Sequence, residues 1–341
     1  MKFGFPLFRD QGAPWEALSP SQHAALERFK RKLETGEYLL VENHCLCDGQ
    51  RPEMDLLMSE VDRYGLPFPT MICRNCGILR SAVLLDEAST RSFYERDYRG
   101  IYGECGQPTE SFLRDQSFRG RRLAELFFAT AGGVGAEGLQ VFEIGCGAGG
   151  VLLPFLERGC TCSGCDFNDE YLAFGRRRGL DLRSGAVAEL LADNSQDLII
   201  MSHVLEHFAN PIDELALAVA KLKPGGRIIM EVPGVFSIHK VYFSPIFYLQ
   251  NAHVYGFFAR AMRELLLTAG LEPVYLDEAV IAIAIKPVNW LPPEVRHISA
   301  SRLESSSARV AGYLLAIHWL YKLHLNPYRL ITALSATIKH R

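Results

Sequence analysis

Three groups of residues in this chain have the types and spacing that chemistry requires. The run VFEIGCGAGG, residues 141–150, fits two cofactor fingerprints at once. Gly145, Gly147 and Gly150 match the G-x-G-x-x-G of a dinucleotide turn, while Glu143, Gly145, Gly147 and Gly149 match the acid-x-G-x-G-x-G of an S-adenosylmethionine turn. HCLCDG at 44–49 and CRNCG at 73–77 supply Cys45, Cys47, Cys73 and Cys76, the four soft ligands that tetrahedral zinc prefers. The first pair departs from C-x-x-C spacing, so a set with His44 in place of Cys45 stays open. Finally, His207 in SHVLEHFANP and His253 in QNAHVYGFF are imidazoles that could take up a proton near neutral pH.

The glycine loop needs a strand before it and a helix after it, and both readings share that physics. Glycines let the backbone turn tightly and approach a ligand, and the helix presents free N–H groups. Asp166 stands about 20 residues on, where an acid accepts ribose hydroxyls from either cofactor. Glu143 separates the two. A carboxylate beneath the loop suits the ammonium group of S-adenosylmethionine and opposes a pyrophosphate. An NAD-dependent oxidoreductase and a noncatalytic zinc-containing scaffold with a retained cofactor fold stay as alternatives.

The surrounding pattern fits an α/β class. Between 139 and 287 short apolar runs such as LQVFEIG, DLIIMSH and GRIIMEV alternate with helical stretches, which predicts a mostly parallel sheet with helices on both faces. EPVYLDE and VIAIAIK, with only a turn between them, predict an antiparallel hairpin at one edge. Before this core come a helix and cysteine module over 1–90 and a connecting helical segment over 91–138. After it, 288–341 reads as a C-terminal helical extension. CTCSGC at 160–165 falls on the second core strand, where alternate side chains point to opposite faces, so its sulfurs are core thiols rather than ligands.

Composition sets the remaining bounds. The 341 residues carry a net charge of −3, which gives no global basic field and argues against nucleic acid as partner. No secretory signal is visible at the start, so the cytoplasm is expected and the nine cysteines read as metal ligands and buried thiols. Residues 308–325 are apolar on more than one face and no acid follows Glu304, whereas Arg309, Lys322, Arg329, Lys339 and Arg341 are basic. Packing on the core or at an oligomer interface is the first expectation for this tail, and peripheral contact with an anionic membrane the second.

VFEIGCGAGG, CDFN around Asp166, DLIIMSHVLEHFANP and LKPGGRIIMEVP together resemble the ordered motifs of class I S-adenosylmethionine-dependent methyltransferases, over roughly residues 139–286. That resemblance implies a seven-stranded Rossmann-like sheet with a reversed last strand. It further implies that Gly145, Gly147 and Gly149 wrap the methionine portion, Asp166 holds ribose, Phe167 packs on adenine, Ala186 and Val187 frame the adenine edge, and Ser202 and His203 face the methionine end. The appended cysteine knuckle resembles a bacterial branch that includes deoxysugar C-methyltransferases and related natural-product or surface-glycan enzymes, which implies structural zinc and a small glycosyl acceptor. In that branch a Glu-His pair followed by an aromatic does catalytic duty, and tyrosines ahead of the core close over the acceptor. Here those positions are Ala252, His253 and Tyr255, with Tyr98 and Tyr102 ahead of the core. Because Ala252 removes the carboxylate, O-methylation is expected over C-methylation.

Overall fold

Strands rich in Ile, Val and Leu that alternate with amphipathic helices can bury all their apolar faces only as helices layered on a sheet. The computed structural model, which describes residues 5–49, 52–103, 107–133 and 135–328, shows that arrangement. Five short strands come first: Leu40–Glu42 (β1), Leu56–Ser59 (β2), Thr70–Ile72 (β3), Leu79–Ser81 (β4) and Val83–Leu85 (β5). The core strands follow as Gln140–Ile144 (β6), Thr161–Asp166 (β7), Asp181–Ser184 (β8), Gln196–Ser202 (β9) and Leu222–Glu231 (β10). Tyr255–Gly256 (β11), Glu272–Leu276 (β12) and Ile281–Ile285 (β13) complete the set.

The seven-stranded sheet has the order β12-β13-β10-β9-β6-β7-β8. β6 to β10 pair in parallel, and β13 inserts antiparallel between β10 and β12. The expected Rossmann-like sheet with its reversed last strand is therefore present. Chain order reverses between β6 and β9, so the carboxyl ends of these two strands open the crevice where such sheets take ligands. Both the glycine loop and the SHVLEH segment leave the sheet at that point.

β2, β3 and β4 form a second sheet whose edge strand is β11, delivered from beyond β10. The cysteine module is thus not closed at residue 90, because a segment of the core completes it. Cys45, Cys47, Cys73 and Cys76 are buried in the same apolar cluster as core residues Ile228 and Phe257 and as Val310, Leu314 and Ile317 of the helix Ser306–Lys322. The C-terminal helix therefore packs on the knuckle. Arg329, Lys339 and Arg341 lie outside the described residues. Among the described residues no helix is long and apolar enough to cross a membrane. Cys160, Cys162 and Cys165 are buried in and beside β7, as expected of core thiols.

Two helices set the crevice walls. Pro20–Glu34 begins with a reciprocal capping box between Ser19 and Gln22, and Gln22 Nε2 also donates to the Ile101 carbonyl, bracing the short helix Tyr98–Tyr102. Glu110–Thr130 crosses behind the glycine loop, and Gly120 lets it approach: a Cβ there would lie 2.3 Å from the Val151 carbonyl oxygen. An alanine in a helix normally gains about 0.5–1 kcal/mol over glycine, but this contact is with backbone and cannot swing away. Gly120→Ala is expected to lower unfolding stability by roughly 1–3 kcal/mol in urea titration; unchanged or increased stability would contradict this packing.

Candidate active site

β6 delivers the glycine loop with Gly145, Gly147 and Gly149 at φ of +68°, +55° and +76°, a region that side chains resist. Space excludes them as well. A Cβ at Gly145 would meet the Val204 side chain at 2.5 Å, and one at Gly149 would meet Leu180 at 2.8 Å. Gln116 clamps the loop from the helix behind it, donating to the Cys146 carbonyl at 3.1 Å and accepting from the Gly150 N–H at 3.2 Å. Asp166, at the end of β7, accepts from the Gly147 N–H at 2.8 Å and from the Asn168 N–H at 2.9 Å. Arg99 of the short helix reaches to 3.7 Å from the same carboxylate, so one acid ties loop, sheet and cap together.

Phe167 and Ala186 line a cavity of about 640 Å³ with Gly185, Arg91, Arg96 and Arg99. Phe167 is 46% exposed, an unusual solvation for phenylalanine that suits stacking on a flat ligand. Val187, expected beside Ala186 at the adenine edge, is instead buried in the apolar core by the first turn of the helix Val187–Leu190. Glu143 lies beneath the loop at 1% exposure, and its Oε2 has no hydrogen-bond partner among the described residues. Burial pushes its carboxyl well above the usual range, with Arg119 offsetting only part of the effect.

At the neighbouring strand end, His203 takes a left-handed φ of +56° and the chain winds into the turn Leu205–His207. Glu206 is 1% exposed. Its Oε1 lies 3.5 Å from His203 Nδ1, 3.8 Å from His207 Nε2 and 3.8 Å from His253 Nε2. Neither carboxylate oxygen accepts a hydrogen bond from a described residue. Burial alone would raise this carboxyl, yet the surrounding imidazoles hold it down at about 2. Burial also pushes His207 below, and His253 well below, the ordinary histidine range. Glu206 thus brings a carboxylate to 3.8 Å from His253, the residue next to Ala252.

Aromatic rings continue outward from this cluster. His207 stands 4.9 Å from His253 and 5.9 Å from Tyr98, and Tyr98 stands 5.1 Å from Tyr94 and 5.0 Å from Tyr102 by ring centroids. Tyr98 thus reaches His207, whereas Tyr102 stands beside Tyr98 and contacts the Asn251 amide oxygen. Ser202 donates to Glu231 Oε2 at 3.1 Å, and His203 Nε2 lies 3.9 Å from Glu231, so both sit between the two strand ends. Tyr255 departs from expectation. Its hydroxyl donates toward Asn43 Oδ1 at 3.0 Å and the His44 carbonyl at 2.9 Å, because pairing of β11 with β4 turns the ring to the knuckle rather than to the crevice.

The four cysteine sulfurs converge within 4.8 Å of one another, with Cys45 3.4 Å from Cys76 and Cys47 3.7 Å from Cys73. Such spacing fits four thiolates about 2.3 Å from one zinc ion. His44 is not in this group, so of the two sets the convergent one is that with Cys45. Sequence reasoning missed Glu206, Tyr94, Gln116 and Arg99. Glu206 could have been found beside His207, whereas the others owe their roles to tertiary approach alone.

Residues 116–276 match the family model described as a methyltransferase domain. The chain is 34% identical over 97 residues to a ubiquinone biosynthesis O-methyltransferase of Roseobacter denitrificans, covering 26% of this chain and 39% of that protein. It is 31% identical over 143 residues to the protein of the same description in Maricaulis maris, covering 38% and 56% respectively. The chain thus spans less than two thirds of the length of these curated relatives. Among solved structures, magnesium protoporphyrin IX methyltransferase from Synechocystis with bound S-adenosylhomocysteine aligns at 16% identity and a TM-score of 0.44, over 59% of this chain and all of that one. Residues 116–276 are thus similar to a methyltransferase domain.

Burial raises the Glu143 carboxyl, and an ammonium group docking beside it should lower it again. Calorimetric titration of S-adenosylmethionine near pH 7, in buffers of differing ionisation enthalpy, is expected to show net proton release that Glu143→Gln lacks. Equal proton counts in both proteins would remove Glu143 from the ammonium site.

Proposed function

We propose that this chain transfers the methyl group of S-adenosylmethionine to a hydroxyl of a small ring-bearing acceptor. The observation that carries the reading is a glycine cradle and a buried histidine–carboxylate cluster opening side by side at the switch point of the sheet. In it, Gly145, Gly147 and Gly149 take the methionine portion, Asp166 the ribose and Phe167 the adenine, with Glu143 beneath the ammonium. Methyl transfer is an in-line displacement, so the enzyme must hold the acceptor oxygen behind the sulfonium methyl and deal with its proton. Glu206, His207 and His253 stand where that oxygen would be presented, and the tyrosine wall supplies a face on which a ring can stack.

A sugar-containing acceptor follows from the resemblance of the knuckle-bearing branch. A phenolic acceptor is the second reading, favoured by the names of the two O-methyltransferase relatives and by the run of aromatic rings. Those names also support oxygen over carbon as the methylated atom. The cysteine quartet holds zinc in this reading, in a closed structural site that anchors β11 and so positions the segment bearing His253.

The test is transfer of labelled methyl to panels of nucleotide sugars and phenols, with the methylated atom identified by NMR. His253→Ala is expected to lower kcat about 10²-fold while affinity for S-adenosylhomocysteine stays nearly constant. Failure of the wild-type protein to bind S-adenosylhomocysteine would overturn the reading. Separately, Cys73→Ser is expected to lose one equivalent of zinc by elemental analysis and to unfold at lower temperature; unchanged zinc content would contradict the knuckle.

A further inference from the structure

Glu206 is a buried carboxylate ringed by imidazole nitrogens at 3.5 to 3.8 Å. A carboxylate taken out of water costs several kcal/mol unless charge or hydrogen bonds compensate, and neither of its oxygens accepts a hydrogen bond from a described residue. The nearest groups are imidazole nitrogens, and for His207 the tautomer can be read from the geometry. Its Nδ1 lies 2.9 Å from the Ala252 carbonyl, which can only accept, so Nδ1 carries a proton and Nε2, 3.8 Å from Glu206, is the nitrogen that faces the carboxylate. Tyr94 Oη, 2.9 Å from the same Nδ1, helps fix the ring.

A neighbouring carboxylate and a backbone-anchored far nitrogen are what a metal-ligating histidine shows, its second nitrogen being used to set tautomer and orientation. His253 approaches from the other side, with Nε2 3.8 Å from the same Oε1 and with its buried Nδ1 free of any hydrogen-bond partner among the described residues. Gln250 contacts that Nε2 through its amide, whose oxygen becomes a further donor when the amide is turned. One donor atom from each of Glu206, His207 and His253 falls within a 4.8 Å set. A cation about 2.0–2.2 Å from each would draw them closer by side-chain rotation.

We propose that Glu206, His207 and His253 form a second metal site, distinct from the cysteine quartet, that takes a first-row divalent transition ion. Two imidazoles and one carboxylate favour such an ion over magnesium or calcium, which prefer oxygen donors throughout. A three-ligand set leaves coordination positions open toward His203 and the tyrosine wall. This deepens the methyltransferase reading, and rests on it for one point: the open positions take the acceptor's hydroxyl oxygen, so an acceptor with two adjacent oxygens, a vicinal diol or a catechol, would chelate best. A metal held there would lower the pKa of a bound hydroxyl. The hydroxyl would give up its proton to water, its oxygen would attack the sulfonium methyl, and the C–S bond would break with its electron pair left on sulfur, giving S-adenosylhomocysteine.

The experiment uses the full-length protein with its cysteine site loaded, titrated with Co²⁺. Wild type is expected to bind one equivalent more metal than the cysteine quartet accounts for, with weak visible bands of nitrogen–oxygen ligation rather than intense thiolate charge-transfer bands. Glu206→Gln and His253→Asn are each expected to weaken that binding at least tenfold, with the cysteine-bound equivalent retained and folding checked by circular dichroism. Absence of the extra equivalent in wild type, or its retention at full affinity in both variants, would overturn the site. Metal binding without methyl transfer to any acceptor would leave the site standing and sink the functional reading, whereas undiminished transfer after removal of the extra metal would sink its catalytic role.

Discussion

The burial of the Glu206 carboxylate is the constraint on which the rest of the crevice depends. Few interactions in a protein cost more than an ionised group held away from water, and this one is surrounded by three histidines delivered from two places in the chain. His203 and His207 come with it from the end of β9, while His253 comes from the segment that precedes β11. The Val254 N–H donates to the Glu206 carbonyl at 2.8 Å, so the backbone of the two segments is joined as well. Any shift of β11 would move His253 away from its carboxylate.

That dependence gives the knuckle a reason to exist. β11 belongs to the knuckle sheet through β4, and β4 lies next to the Cys73–Cys76 turn. Tyr255 adds side-chain bonds to Asn43 and the His44 carbonyl beside Cys45. A segment this short could not bury enough apolar surface to hold its own position, and a metal cross-link is the usual remedy for such small modules. On the other wall, Asp97 is buried against Lys32 at 2.9 Å and the Tyr38 hydroxyl at 2.5 Å, which fixes the helix that carries Tyr98, Arg99 and Tyr102. Arg99 then meets Asp166. Cofactor cradle, tyrosine wall and histidine cluster are mechanically one unit.

Much of this was legible because periodicity and glycine chemistry are local. The strand–loop–helix around Gly145, the acid at Asp166, the closing hairpin and the cysteine quartet all follow from spacing along the chain, and each stands where spacing put it. What spacing could not show is which side chains meet across it. Tyr255 looked like part of the acceptor pocket until strand pairing turned it to the knuckle, and Val187 like a cofactor contact until a single turn of helix buried it. Ala252 was the most instructive case. No carboxylate precedes His253 in sequence, whereas Glu206, 47 positions before it in the numbering, comes to 3.8 Å from it by tertiary approach.

The central claim is that the Glu206 cluster acts on the acceptor rather than on the cofactor or the fold. Single-turnover transfer of labelled methyl, with acceptor saturating and S-adenosylmethionine prebound, measures that step directly in wild type and in the near-isosteric Glu206→Gln. The account predicts a loss of roughly 10²-fold or more in the transfer rate with cofactor affinity unchanged. Equal single-turnover rates in the two proteins would contradict it.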